Sequence, residues 1–205
     1  MSYLTIFCRF EYIKTIEMKK LTFALVVLAV TCCFRSYSQG NDDMKAMMAA
    51  AAPGENQKML AKSAGSWTAT VTMWMQPGAP PMTSTATATN EMIMGGRYLK
   101  STNKGNMMNM PFEGIGYTGY DNLKKQFVNS WIDNMGTGIM TMTGQWDAAT
   151  KSITYTGMMA DPMSGKDIAI KEVWIFTDDS HQVMQMFYPA NGQDFKTMEI
   201  KYTKQ

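Results

Sequence analysis

The sequence predicts an all-β protein, an antiparallel up-and-down β-barrel of about ten strands that follows a short N-terminal helical segment. Ten runs rich in threonine, β-branched and aromatic residues lie between Trp67 and Tyr202, and most alternate with a period of two. Turn signals separate the runs, as at residues 77–78, 95–96 and 191–192. Short connections favour antiparallel neighbours and closure removes exposed sheet edges, so this pattern indicates a barrel.

A helical pattern precedes the first strand. The stretch "NDDMKAMMAAAA" offers Asn41 or Asp42 as its N-cap, and the Pro-Gly pair at residues 53–54 interrupts it. A second short helix follows in "ENQKMLAKSAG", where Gly65 is the stop signal. We therefore divide the chain into a leader at residues 1–38, a helical segment at 39–64 and a barrel domain at 65–205.

The leader has the pattern of a secretory signal peptide. Met18 and two lysines precede an apolar run of 13 residues at 21–33, and small residues lead to a predicted cleavage after Ser38. The run is too short to span a bilayer, which needs about 18 apolar residues. We expect Met18 to be the true start and the mature protein to be exported, periplasmic or extracellular in a bacterium, without a transmembrane segment.

A lipoprotein is the less favoured alternative for the same leader. Cys32 and Cys33 end the apolar run, but Thr31 and Cys32 are poor residues to precede a lipidated cysteine. All three cysteines lie within residues 1–38, so the mature chain has no disulfide, thiol nucleophile or cysteine metal site.

The charge of the mature chain gives no reason to expect a nucleic-acid partner. Removing the leader's five basic and two acidic residues from totals of 19 and 17 leaves 14 and 15, a net charge of −1. A nucleic-acid-binding domain would instead carry a clustered basic surface.

Several segments resemble one known family. The Gly-x-Trp pattern at residues 65–67 resembles the opening of lipocalin-like barrels. The longer segments "IMGGRYLKS", "GNMMNMPFEGIGYTGYDN", "DAATKSITYTG" and "FKTMEIKYT" resemble the bacterial family of unknown function DUF1579, from about Asn56 to Thr203. This resemblance implies a lipocalin-like barrel and implies no particular reaction.

The methionine-rich segment at residues 107–110 has three interpretations. Thioethers are soft ligands, so Met107, Met108 and Met110 could hold Cu(I), with Met142 or Met159. Methionine is also a flexible apolar filler, and most of these residues fall two apart and so share one face of a strand. We therefore favour packing over the lining of a ligand cavity, and predict no metal site.

The single histidine is a weak candidate for chemistry. His181 lies in "TDDSHQV", which reads as a hairpin turn. A haem-binding barrel would need an axial ligand, and a Ser-His-Asp triad would depend on this one side chain. We favour a solvated histidine, and predict no cofactor.

Arg97 is the only arginine after the leader and follows a Gly-Gly pair. It could anchor a carboxylate or phosphate group inside the barrel. The alternative, which we favour, is a structural arginine that stacks on Trp67 at the closed end of the barrel.

Two carboxylates could point inward. Glu172 shares strand parity with Ile170 and Trp174, and Glu113 shares parity with Tyr117. Inward carboxylates would need partners and could support acid–base chemistry. Outward, solvated carboxylates are the equally weighted alternative.

The expected function is the binding of a small, mainly apolar molecule inside the barrel. The alternatives are an uncharacterised enzyme built on inward carboxylates and Arg97, and a structural or envelope-interaction protein with a filled barrel. Trp131 and Trp174 could line a cavity or simply fill the core. The candidate cavity residues are Arg97, Glu113, Tyr117, Trp131, Glu172 and Trp174.

Overall fold

The computed structural model describes residues 42–161, 164–190 and 192–205, which fall in two compact units, Met1–Ala51 and Ala52–Gln205. In the first unit, residues 42–51 are helical and are called α1. The predicted leader at residues 1–38 lies outside the described residues. Within the described ranges, neither helix combines the length and the apolar character that a bilayer-spanning helix requires.

The second unit contains a short helix and a closed barrel of ten antiparallel strands. Every strand pairs with its neighbour along the chain, and the last strand pairs with the first, which confirms the predicted up-and-down barrel. The elements are α2 (Glu55–Ala61), β1 (Gly65–Met73), β2 (Met82–Ile93), β3 (Tyr98–Met107), β4 (Met110–Asp121), β5 (Gln126–Asp133), β6 (Met140–Asp147), β7 (Ser152–Ala160), β8 (Asp167–Phe176), β9 (His181–Ala190) and β10 (Gln193–Lys204).

The barrel's outer face explains the abundance of threonine. Thr68 and Thr70 on β1 are exposed and lie opposite Thr87 and Thr85 on β2. β-Branched side chains suit a strand, and cross-strand threonine pairs stabilise a solvated face. The alternate residues, such as Ala69, point into the barrel and are buried.

α2 closes one end of the barrel, the end at which β1 begins and β10 ends. Leu60 is 0% exposed and packs in a core cluster with Leu99, Phe127 and Ile153. Polar contacts fix the helix in place, because the Gln57 Nε2 atom donates to a β4 carbonyl over 3.1 Å. This half of the barrel is therefore filled by side chains.

The buried Ser63, just after α2, connects three strands at this closed end. Its carbonyl accepts hydrogen bonds from Trp67 Nε1 over 2.9 Å and from Asn90 Nδ2 over 3.0 Å. Its hydroxyl accepts one from Gln182 Nε2 over 2.8 Å. These bonds tie the end of α2 to β1, β2 and β9, although the Oδ1 atom of Asn90 is buried without a partner.

The inward face of β4 is built from glycine, because Trp131 of β5 occupies the space above it. Gly116 lies directly opposite Trp131, and Gly114 lies opposite Asp133. A Cβ atom added at Gly114 would lie 2.7 Å from Cη2 of the Trp131 ring, closer than real contacts allow. Glycine here makes room for an indole on the inner wall of the barrel.

Replacing Gly114 by alanine should therefore destabilise the fold. We expect a loss of about 1–3 kcal/mol in the free energy of unfolding, the usual cost of overpacking a core. Urea denaturation followed by tryptophan fluorescence measures it. Gly138→Ala is the matched control, because an added Cβ there meets no heavy atom within 4 Å. Equal stabilities of the two variants would contradict this packing.

Candidate binding site in the barrel interior

The centre of the site is Glu172, a carboxylate inside the barrel. It lies on β8 opposite Tyr155 of β7 and Met186 of β9, so the three side chains share the inward face. Glu172 is only 6% exposed. Burial raises the pKa of its carboxyl from an ordinary value of 4.5 to about 7.

Two tyrosines accompany this carboxyl. Burial and the charge of Glu172 raise the pKa values of both Tyr155 and Tyr202, so Glu172 lies within electrostatic reach of both phenols. Tyr155 is 0% exposed, yet its hydroxyl has no hydrogen-bond partner. Since a buried polar group without a partner costs about 1–3 kcal/mol, this hydroxyl is an unusual element of a core.

A second polar atom of the interior also lacks a partner. Asn129 on β5 lies opposite the fully buried Met142 of β6, and its Oδ1 atom is buried without a hydrogen bond. Asn129 and Glu172 both lie on inward faces, together with Tyr155. The barrel interior thus holds polar atoms that the described residues leave unsatisfied.

Several inward side chains near Glu172 are only partly buried. The inward side chains of β9 and β10, Met184, Met186, Ile200 and Tyr202, are only half-buried. Their partial burial contrasts with the completely buried Leu60, Ile153 and Tyr155 of the packed core. On the opposite wall some inward residues are buried, such as Gly116 on β4, Met142 on β6 and Tyr155 on β7. Ten strands enclose a wider interior than the eight that side chains just fill.

Aromatic residues line the far end of the barrel, where β1 ends at Met73 and β5 ends at Asp133. Phe112 and Trp131 stack with ring centroids 6.3 Å apart. The Trp131 Nε1 atom donates to Asp133 Oδ2 over 2.7 Å, which fixes the orientation of the indole. This end therefore combines an apolar lining with one inward carboxylate.

Three of the six candidate residues predicted from sequence lie on the inward face: Trp131, Glu172 and Trp174. Trp174 is two residues from Glu172 but is part of the filled end, where its Nε1 atom donates to Gln182 Oε1 over 3.1 Å. Its ring centroid lies 4.6 Å from that of Phe176. Glu172 thus lies between the packed core and the partly buried wall of β9 and β10.

The inward positions considered for Glu113 and Tyr117 are wrong. Both side chains are exposed on the outer face of β4. Glu113 forms an ion pair with Lys104 over 3.4 Å, and both partners are more than half exposed. The reason is the packing of Trp131, which requires glycine at the alternate, inward positions of this strand.

Arg97 is also outside the barrel. The turn between β2 and β3 contains positive φ angles at Met94, Gly95 and Gly96, and the exposed Arg97 folds back so that its Nη1 atom donates to the Met94 carbonyl over 3.1 Å. Both predictions for Arg97, an inward anchor and the favoured arginine stacked on Trp67, are therefore wrong. A cation does lie over the Trp67 ring, and it is the Lys204 ammonium, 5.4 Å from the ring centroid.

The methionines and the histidine have separate surroundings. Met108 and Met110 are exposed at the β3–β4 turn, whereas Met142 is fully buried in the core cluster. Met159 accepts a hydrogen bond from Tyr188 over 3.2 Å. His181 is exposed and contacts an aspartate three residues earlier. Among the described residues, no three His, Cys, Asp or Glu side chains form a metal-binding group.

Sequence reasoning missed three members of the interior site: Tyr155, Tyr202 and Asn129. The alternation in "SITYTGMM" places Tyr155 on the face of the buried Ile153, so its inward position could have been found. Its pairing with Glu172 depends on the register between β7 and β8, which alternation does not reveal.

Comparisons with known proteins identify the family and the fold. The family model described as "Protein of unknown function (DUF1579)" matches residues 52–204. No curated protein matches the chain. The crystal structure of Rv2717c from M. tuberculosis is similar with a TM-score of 0.55 and 14% identity, over 75% of this chain and 99% of that one. At this identity the likeness concerns the fold alone.

Proposed function

This chain belongs to the DUF1579 family, and we propose that it binds a small, mainly apolar molecule inside its barrel. The family's description assigns no activity, so the support comes from the residues of the chain itself. The observation that carries this proposal is a set of inward polar groups: the buried Glu172 carboxyl, together with the Tyr155 hydroxyl and Asn129 Oδ1, which have no hydrogen-bond partner.

The energetic cost of these groups favours a binding role. Each buried polar atom without a partner reduces stability, and a side chain is retained at such a cost most readily where a ligand pairs with it. Binding pockets usually combine an apolar lining with a few convergent polar groups. Met184, Met186 and Ile200 supply such a lining beside Glu172.

Export forms part of the proposed role. The basic start, the apolar run and the small residues that precede Gln39 are the support for it. The protein would then meet its ligand outside the cytoplasm.

The enzyme alternative loses most of its residues. It required Arg97 and two inward carboxylates, but Arg97 and Glu113 are on the outside of the barrel. Of these three residues, only Glu172 lies inside the barrel, where it could act as an acid or a base. A filled barrel remains the competing description, and it differs in one measurable property, the uptake of an apolar probe.

We expect the purified protein to bind the neutral fluorescent probe N-phenyl-1-naphthylamine saturably, because partly buried apolar side chains line the interior near Glu172. Ile200→Trp should weaken this binding at least about tenfold by filling that space, an effect equivalent to about 1.4 kcal/mol. Lys201→Trp is the matched control, because the Lys201 side chain, next to Ile200 in the sequence, points outward and is exposed. Titration of probe fluorescence measures both.

Two results would overturn the proposal. The absence of saturable probe uptake would support a filled barrel. Equal weakening by Ile200→Trp and Lys201→Trp would place the probe outside the barrel. Circular dichroism of both variants checks that each retains its sheet.

A further inference from the structure

We propose that the interior site selects a ligand that carries a cationic amine, held between the Glu172 carboxylate and the Tyr155 hydroxyl. This inference rests on the proposed binding function and names the head group that the site would accept. The apolar body of such a molecule would lie along Met184, Met186 and Ile200, the half-buried wall of the interior.

The distribution of charge favours a cation. Two carboxylates lie on the inward face, Glu172 at mid-barrel and Asp133 at the far end. Among the described strand residues, lysines such as Lys104 and Lys171 are on the outer face, in ion pairs with carboxylates there. Lys204 shares the inward face but lies at the closed end, where its ammonium donates to a carbonyl at the end of α2.

No cation therefore faces Glu172 from the strands packed around it. The groups that surround it are Tyr155 from β7, Met186 from β9 and Tyr202 from β10. A buried carboxylate is expensive to ionise without a positive partner. An incoming ammonium would supply that partner, whereas a fatty-acid carboxylate would meet a charge of the same sign.

Hydrogen-bonding capacity leads to the same head group. An ionised Glu172 only accepts hydrogen bonds, Asn129 Oδ1 only accepts, and the Tyr155 hydroxyl can accept. An ammonium has three donors and no acceptor, so it complements this set. The rings of Tyr155 and Tyr202 also offer aromatic surface close to the charge, which favours a cation.

Binding of the amine should be linked to pH. Burial keeps Glu172 protonated up to about pH 7 in the ligand-free protein. The ammonium pairs with the ionised form, so affinity should rise as pH increases from about 6 to 8, while an alkylamine remains protonated with a pKa near 10. Tyr155 and Tyr202 stay neutral over this range because their pKa values are raised.

Three amphiphiles of one chain length test the head group: octylammonium, octanol and octanoate. Each is measured by displacement of N-phenyl-1-naphthylamine from the wild-type protein at about pH 8. We expect octylammonium to bind at least about tenfold more tightly than octanol, since charge-assisted hydrogen bonds are the strong ones. Octanoate should bind most weakly.

Glu172→Gln should abolish the preference for octylammonium while octanol still displaces the probe. Glu113→Gln is the matched control, because it makes the same change on the outer face and should leave the preference intact. Tyr155→Phe should reduce octylammonium affinity several-fold without changing that of octanol. Retained probe binding in each variant shows that the barrel has folded.

The outcomes separate this inference from the proposed function. Equal binding of octanol and octylammonium, or a preference that survives in Glu172→Gln, would refute the amine site and leave small-molecule binding intact. Failure of the probe to bind the wild-type protein would instead refute the proposed function. A preference for octanoate would contradict the charge argument directly.

Discussion

Glu172→Gln is expected to stabilise the ligand-free protein by about 3 kcal/mol near pH 8 and to have little effect near pH 4. The carboxyl is buried at 6% exposure, and its burial raises its pKa from 4.5 to about 7. Each pKa unit corresponds to about 1.4 kcal/mol, which gives the size of the effect. Glutamine keeps the shape of the side chain and carries no charge to bury.

The direction of the pH dependence follows from proton binding. Between pH 4.5 and about 7 the unfolded state releases the Glu172 proton, whereas the folded state retains it. Folding then binds a proton at Glu172, so the contribution of this residue to wild-type stability is full below pH 4.5 and falls as pH rises to about 7. The difference between wild type and Glu172→Gln should grow over the same interval.

Urea denaturation of both proteins at a series of pH values measures this difference. Glu199→Gln is a suitable comparison, since Glu199 is on the outer face and the Lys196 hydrogen bond lowers its pKa. That substitution should not reproduce the stabilisation at high pH. A pH-independent difference for Glu172→Gln would mean that the carboxyl is not buried in its neutral form.

Leu60→Ala is expected to cost about 2–5 kcal/mol of unfolding free energy, the range for truncating a fully buried leucine. Leu60 is 0% exposed and contacts the core cluster from α2, so the barrel strands cannot collapse into the space that it leaves. Leu123→Ala is the control, because Leu123 is 78% exposed at a turn.

Urea denaturation at one pH compares the two leucine variants. A loss below about 0.5 kcal/mol in Leu60→Ala, typical of a surface change, would show that α2 does not complete the core. The slope of the transition also matters, because a lower slope would indicate that α2 detaches while the barrel persists.

The barrel itself could be predicted from sequence because its signals are local. Strand alternation and turn residues repeat along the chain from Trp67 onward, and each strand pairs with the next. The orientation of β4 could not be predicted in the same way. Ile115 and Tyr117 are larger than the glycines between them, yet the glycines face inward, because Trp131 on the next strand fills the space.

The site was predictable only in part, because alternation within one strand predicts which way a side chain points but not which residues of other strands it meets. Glu172 and Trp174 share parity with the buried Ile170, and this was sufficient to place them inside. Arg97 was misplaced because a Gly-Gly pair can turn a side chain in either direction. The assembly of Glu172 with Tyr155 and Tyr202 depends on strand register and on closure of the barrel, both of which are non-local.

Closure of the barrel between β1 and β10 has a consequence for the kinetics of folding. The two strands are joined from Trp67↔Lys204 to Met73↔Met198, and the last backbone amide of the chain donates to Ser66 over 2.9 Å. A contact between residues so distant in sequence forms only after a large loss of chain entropy, so high contact order should make folding slow.

During synthesis, β10 is the last strand to become available, and until then β1 and β9 would each expose an unpaired backbone. Such intermediates are prone to association through their free strands. Pairing of β10 with both β1 and β9 is therefore the step that closes the barrel.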